Sequence, residues 1–184
     1  MKAKVYAVVA EGLEEVECLA AVDVMIRCGI EVKLISMTGS LEVAGSHGLR
    51  IVTDMLWEDS APEEADCIFL PGGMPGTKHL AEHKGLAKAL EQALGEDRRV
   101  AAICAAPSVL GELGFLRGKK ATCYPGFEEK LVGAEHTHEG VVTDGLITTA
   151  RGLGYALDLG LELAGLLVGR EAAAQVKASI QYDH

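Results

Sequence analysis

Between Val100 and Gly114 the chain reads VAAICAAPSVLGELG. Four small apolar residues, Val100 to Ile103, are too few for a helix and too uniformly apolar for a half-exposed strand, so they suit a central strand covered on both faces. Cys104 ends that strand. Pro107 lacks a backbone N–H and belongs in the first turn of a helix, which places the next helix start near Ala105. A thiol therefore stands at a strand-to-helix elbow, where unpaired amides and the positive end of the helix favour a thiolate and could hold an oxyanion. The residue types alone leave a second reading open, that Cys104 is a small buried hydrophobe.

Upstream, Val5 to Ala10 reads as a buried first strand, with Glu11-Gly12 as the turn leaving it. A helix follows from about Leu13 to Arg27, closed by Gly29 as a left-handed cap. Glu17, Ala20, Ala21, Val24 and Cys28 share one face of that helix, so Glu17 is a carboxylate in apolar company. Burial without a cation raises a carboxyl pKa, which lets Glu17 hold and exchange a proton near neutral pH. Its neighbours Glu14 and Glu15 read as a solvated face. Val32 to Met37 predicts a second parallel strand, completing a βαβ unit, and Leu41 to Val52 a small hairpin or flap on the sheet edge.

The acidic run from Glu58 to Asp66 reads as surface, and Cys67 to Leu70 as the next buried strand. It delivers Pro71-Gly72-Gly73-Met74-Pro75-Gly76, whose glycines permit close backbone approach and leave amides facing the strand ends. The loop lacks the Lys and Ser/Thr of a phosphate-cradling P-loop. Leu80 to Leu94 predicts one or two helices. Lys120 to Cys123 reads as a short strand leading to Tyr124-Pro125-Gly126, and Val141 to Thr149 as two strands around Asp144-Gly145. His136-Thr137-His138 reads as a polar turn whose histidines alternate faces if extended, which argues against a shared metal. The Arg151-Gly152-Leu153-Gly154 turn opens a long apolar helix ending near Gly169, and a last helix spans Glu171 to about Ser179. Three chosen features thus emerge at strand carboxyl ends, where sheets of this kind bind ligands: the segment to Glu17, the Gly72-Gly73 loop and Cys104.

The 184 residues suit one domain, which buries roughly 70% of its unfolded surface. A net charge of −10 without a basic cluster argues against nucleic-acid and anionic-membrane partners. Five scattered cysteines with no CxxC pair give neither a disulfide framework nor a zinc spacing, and suit a reducing cytoplasm. No run reaches membrane-spanning length and the N-terminus lacks a signal-peptide pattern, so no export is expected.

In order, AEGLEEVE (10–17), DVMIRCGI (23–30), LPGG (70–73), AAICAAP (101–107), the ARG-x-G turn (150–154) and AAAQVKAS (172–179) resemble the ThiJ/PfpI superfamily, in its DJ-one and YajL-like branch. The resemblance covers essentially the whole chain. It implies a flavodoxin-like three-layer α/β sandwich with a mostly parallel sheet, related to class I glutamine amidotransferases, and a homodimer. By motif it makes Cys104 the nucleophile, Glu17 its protonated partner, the amides of Gly73 and Ala105, beside Gly72, an oxyanion site, and Arg27 a residue reaching toward the partner subunit's site.

This chain departs from the family pattern at four places. Ala105 follows the cysteine where the peptidase-like branch has His, so a Cys-His dyad is not available there. Tyr124 precedes Pro125 where the human-type branch has His, and a phenol is a poor base at neutral pH. Leu153 replaces the central Pro of a Gly-Pro-Gly turn, and His47 stands where relatives often carry Arg. The resulting expectation is cofactor-independent and metal-free chemistry on a small reactive carbonyl such as methylglyoxal, or on a glycated protein. The competing expectation is a redox-sensing stress protein or chaperone acting through oxidation of Cys104. An intracellular cysteine peptidase is the least favoured of the three.

Overall fold

The computed structural model describes residues 2–183. Along the first strand, β1 (Lys4–Val9), Val5, Ala7 and Val9 pack into one apolar cluster while Tyr6 and Val8 pack into another. Period-two alternation with both faces apolar is what a strand covered on two sides requires. The remaining elements, in chain order, are α1 (Glu15–Arg27), β2 (Glu31–Ser36), β3 (Glu42–Ala44), β4 (Arg50–Val52), β5 (Met55–Leu56) and β6 (Cys67–Leu70). They continue with α2 (Gly76–Glu82), α3 (Lys84–Gly95), β7 (Arg99–Ile103), α4 (Pro107–Glu112), β8 (Lys120–Ala121) and β9 (Glu135–His136). The chain closes with β10 (Val141–Asp144), β11 (Ile147–Ala150), α5 (Ala156–Val168) and α6 (Arg170–Ser179).

Seven strands form the central sheet in the order β10-β11-β7-β6-β1-β2-β5, parallel except for the β10–β11 hairpin. On one face Ala21 and Met25 of α1 and Leu159 and Leu163 of α5 meet Phe69 and Ile103; on the other, Leu86, Leu90 and Leu110 meet Leu70 and Ala102. The result is a three-layer α/β sandwich with a mostly parallel sheet, as expected. α1 and α5 approach closely because α5 carries Gly160 at the crossing, where a Cβ would lie 2.9 Å from the Ala21 carbonyl.

The chain runs outward from β1 to β2 and β5, then returns to place β6 on the other side of β1. The crevice at the carboxyl ends of β1 and β6 is thus a topological switch point, the usual place for a ligand in such sheets.

Several boundaries differ from the expectations. The short strand expected at 120–123 forms as the two-residue β8, and the polar turn around His136 is partly a strand, β9, pairing parallel to β8. The β3–β4 hairpin forms its own two-stranded sheet; the edge of the main sheet is taken by β5. The hairpin is tied instead to the β1–α1 connection, through Gly12 N–H to the Ala44 carbonyl (2.8 Å) and Ser46 N–H to the Leu13 carbonyl (2.8 Å).

Candidate active site

β7 is buried along Val100 to Ile103 and ends at Cys104, whose backbone turns into the left-handed region at φ +64°. That conformation costs a non-glycine residue on the order of 1 kcal/mol or more and persists only where the surroundings over-determine it. Here they do. The Cys104 amide donates to the Ala150 carbonyl on β11 at 2.9 Å, and its carbonyl accepts from the Tyr124 amide at 2.8 Å. Pro107 opens α4, as its missing N–H requires.

Glu17 lies in the first turn of α1 and is 1% exposed. The helix is fixed at this end by Glu14, whose carboxylate caps it by accepting from the Glu17 amide at 2.6 Å. The Glu14 amide in turn donates to the Gly72 carbonyl at 2.8 Å, joining α1 to the loop after β6. At Gly72 a Cβ would stand 2.5 Å from Glu17 Oε2, 2.6 Å from Cys104 Cβ and 2.8 Å from the Ile103 carbonyl. Only glycine fits between the acid and the cysteine. Gly73 has φ +91° and packs on the Glu14 amide, so it too is confined to glycine.

Burial pushes the Glu17 carboxyl up to about 7, against the opposing pull of a hydrogen bond with the Cys104 thiol and of the Gly72 and Leu153 amides. Those neighbours leave Glu17 Oε2 without an aligned partner, an orphaned oxygen in a dry setting. Burial also pushes the Cys104 thiol up, to about 12, followed by the charge of Glu17 and its hydrogen bond; the Ala105 and Gly73 amides oppose. Burial therefore opposes the thiolate expected at the elbow, and the two amides favour it. Both contributions from Glu17 vanish once Glu17 carries the proton, so the two groups work as a pair in which deprotonating one favours protonating the other.

The structure thus brings together Cys104, Glu17, Gly72, Gly73 and Ala105. Tyr124 joins through its backbone, while its side chain is half exposed and its ring lies over Gly152. Arg27 stands ten residues along α1 from Glu17, about 15 Å away, and pairs with Asp23 at 2.6 Å. Within one chain it takes no part in the site. Leu153 was singled out only as the residue replacing the central Pro of its turn; that its amide faces the Glu17 carboxyl was not foreseen.

Glu14 and Glu15 are not the solvated face expected. Glu15 is 1% exposed and accepts from the His47 amide (2.9 Å) and the Leu49 amide (3.3 Å), with His47 Nδ1 at 3.0 Å. Among the described residues Glu14, Glu15 and His47 form a group with the donor atoms for a cation. Their oxygens are already engaged in capping α1 and holding the hairpin, which accounts for the arrangement without one. The rings of His136 and His138 sit perpendicular to each other, centroids 4.9 Å apart.

Beyond the pair, a surface hollow of about 340 Å³ is bounded by Tyr124, Pro125, Arg151, Leu153 and Tyr155. A second hollow of about 370 Å³ lies along α5 and α6, far from the elbow in the topology, where Arg170 and Glu162 pair at 2.5 Å.

The sequence pattern of the DJ-1/PfpI family matches residues 3–166. Protein DJ-1 homolog B of Arabidopsis thaliana is 38% identical over 179 residues, 96% of this chain and 41% of that protein. The chain spans well under half the length of the two Arabidopsis relatives it matches. The Parkinson disease protein 7 homolog of Danio rerio is 34% identical over 177 residues, 94% of each chain. Among solved structures, oxidized Toxoplasma gondii DJ-1 superposes with a TM-score of 0.95 at 32% identity, covering 99% of this chain and 100% of that one. Drosophila melanogaster DJ-1beta gives the same TM-score and identity over the full length of both chains. With the family pattern spanning most of the sequence and the fold shared from end to end, this chain belongs to the DJ-1/PfpI family.

Proposed function

We propose that the chain performs cofactor-independent chemistry on reactive carbonyls, converting a 2-oxoaldehyde such as methylglyoxal to its 2-hydroxy acid. The observation that carries this reading is the meeting of the buried Glu17 carboxyl and Cys104 over Gly72, where one Cβ would lie 2.5 Å from Glu17 Oε2 and 2.6 Å from Cys104 Cβ, with the Ala105 and Gly73 amides favouring the ionised sulfur. As the thiol proton passes to Glu17, the sulfur forms a bond to the aldehyde carbon and the carbonyl electron pair moves to oxygen, held by the two amides. Glu17 passes that proton on to the oxygen, giving a hemithioacetal and restoring its own carboxylate. Glu17 then removes the hydrogen of the former aldehyde carbon as a proton, and a proton is returned to the neighbouring ketone carbon, leaving a thioester. Water cleaves the thioester, regenerating the thiol and releasing the hydroxy acid. The aldehyde carbon is oxidised and its neighbour reduced, so no external oxidant is needed. Protein deglycation would share the first step.

The same reading takes the chain as a cytoplasmic homodimer. Val16, Leu19 and Ile26 project from α1 at 41–52% exposure on the stripe that also carries Arg27, which supports a second copy packing there. Among the described residues no helix is long and apolar enough to cross a membrane.

Lactate formation from methylglyoxal tests the chemistry. Cys104→Ser and Glu17→Gln should each lower kcat/KM by about a hundredfold or more, the scale of losing a nucleophile or a general base; unchanged turnover in either variant rejects the mechanism.

A second reading, oxidation sensing, is favoured by one observation: Cys18, Cys67 and Cys123 are at most 1% exposed, while Cys104 is partly open to solvent. Mass spectrometry after mild peroxide should then find Cys104 oxidised ahead of Cys67 and Cys123. Equal oxidation of the three discards this reading.

A further inference from the structure

Two aromatic side chains line the hollow beside the pair, each packed against a glycine. The Tyr155 ring lies so close to Gly140 that a Cβ there would collide with its Cε1 and Cδ1, and a Cβ at Gly152 would stand 3.3 Å from Tyr124 Cδ2. Both rings are seated rather than free. Between them are Pro125 and Leu153, and Tyr124, Leu153 and Tyr155 are 50%, 49% and 37% exposed. Three large apolar side chains left in water around one concavity mark a surface made to be covered by an apolar group. Arg151 supplies the only formal charge of the lining, which disfavours a cationic occupant.

The hollow is coupled to the chemistry by the backbone. The amide of Tyr124 holds the Cys104 carbonyl at 2.8 Å, and the amide of Leu153 faces the Glu17 carboxyl. Tyr124 and Leu153 are also two of the positions at which this chain departs from the family pattern.

We infer that this hollow is a tail pocket selecting 2-oxoaldehydes with a flat, uncharged aryl group over those with a methyl. The inference rests on the reading of Cys104 and Glu17 as a 2-oxoaldehyde site. A phenyl ring in the hollow stacks against Tyr124 and Tyr155 and covers Leu153, whereas the methyl of methylglyoxal leaves that surface wet.

The test compares full-length wild type with Tyr155→Ala and Tyr155→Phe. The ratio of kcat/KM for phenylglyoxal to that for methylglyoxal should be about tenfold or more in wild type. It should fall toward unity in Tyr155→Ala and be kept in Tyr155→Phe, which retains the wall. Calorimetric binding of the corresponding products to Cys104→Ser reads the pocket without turnover: mandelate should bind about tenfold more tightly than lactate, and Tyr155→Ala should erase the difference. Equal binding of the two acids, or a ratio unmoved by Tyr155→Ala, overturns the pocket. Mandelate preference without turnover of either aldehyde upholds the pocket and rejects the proposed chemistry instead.

Discussion

Glu17 shows how one position in a helix decides protonation chemistry. Its carboxyl is held near 7 by burial, well above the 4.5 of an exposed glutamate. The folded chain therefore binds this proton more tightly than the unfolded chain does. The resulting stabilisation is complete below about pH 4.5 and is lost as pH rises through about 7. The shift corresponds to about 3 kcal/mol. Glu17→Gln is neutral at every pH, so urea denaturation should find the variant gaining on wild type by about that amount between pH 4.5 and 8; parallel curves refute the assignment. Cys104 and Glu17 were both legible, one from a strand followed by Pro107 and the other from helical spacing. The thiol's ionisation was not, because desolvation depends on the packing of Gly72, Ile103 and Glu17 around it, which no local pattern reports.

At the scale of an element, the β3–β4 hairpin hangs on Glu15. Burial alone would raise that carboxyl, but the His47 side chain and the amides of His47 and Leu49 outweigh it and hold Glu15 at about 2. Its contribution to stability is therefore present above pH 4.5 and lost as pH falls toward 2. Glu15→Ala leaves the two part-buried amides without their acceptor, at about 1 kcal/mol for each hydrogen bond lost. The expected outcome is a lower urea midpoint together with protease cleavage between residues 42 and 52; an unchanged midpoint removes Glu15 from this role. The sequence offered no hint of it. EEVE reads as a charged face until a hairpin some thirty residues later folds over it, and a contact at that separation has no period. The two-residue strands β5 and β9 escaped for a related reason, being too short to alternate.

For the whole molecule, the layered architecture was readable because β1, β6 and β7 are apolar on both faces, and only a sheet sandwiched by helices buries such strands. What a single chain leaves exposed bears on assembly. If the α1 stripe is the dimer contact proposed above, Leu19→Glu should convert a dimer to a monomer in sedimentation velocity, because a charge at a dry contact is costly; an unaltered mass moves the contact elsewhere. The fastening of Cys104 to β11 and to the Tyr124 segment has its own outcome. A sulfur mounted on so unyielding a pivot does not lean out to meet its reactant. On the proposed carbonyl chemistry, a free aldehyde would have to diffuse in to meet it, and a sugar adduct on a folded protein would be reached only where it protrudes on a stalk longer than the rim is deep.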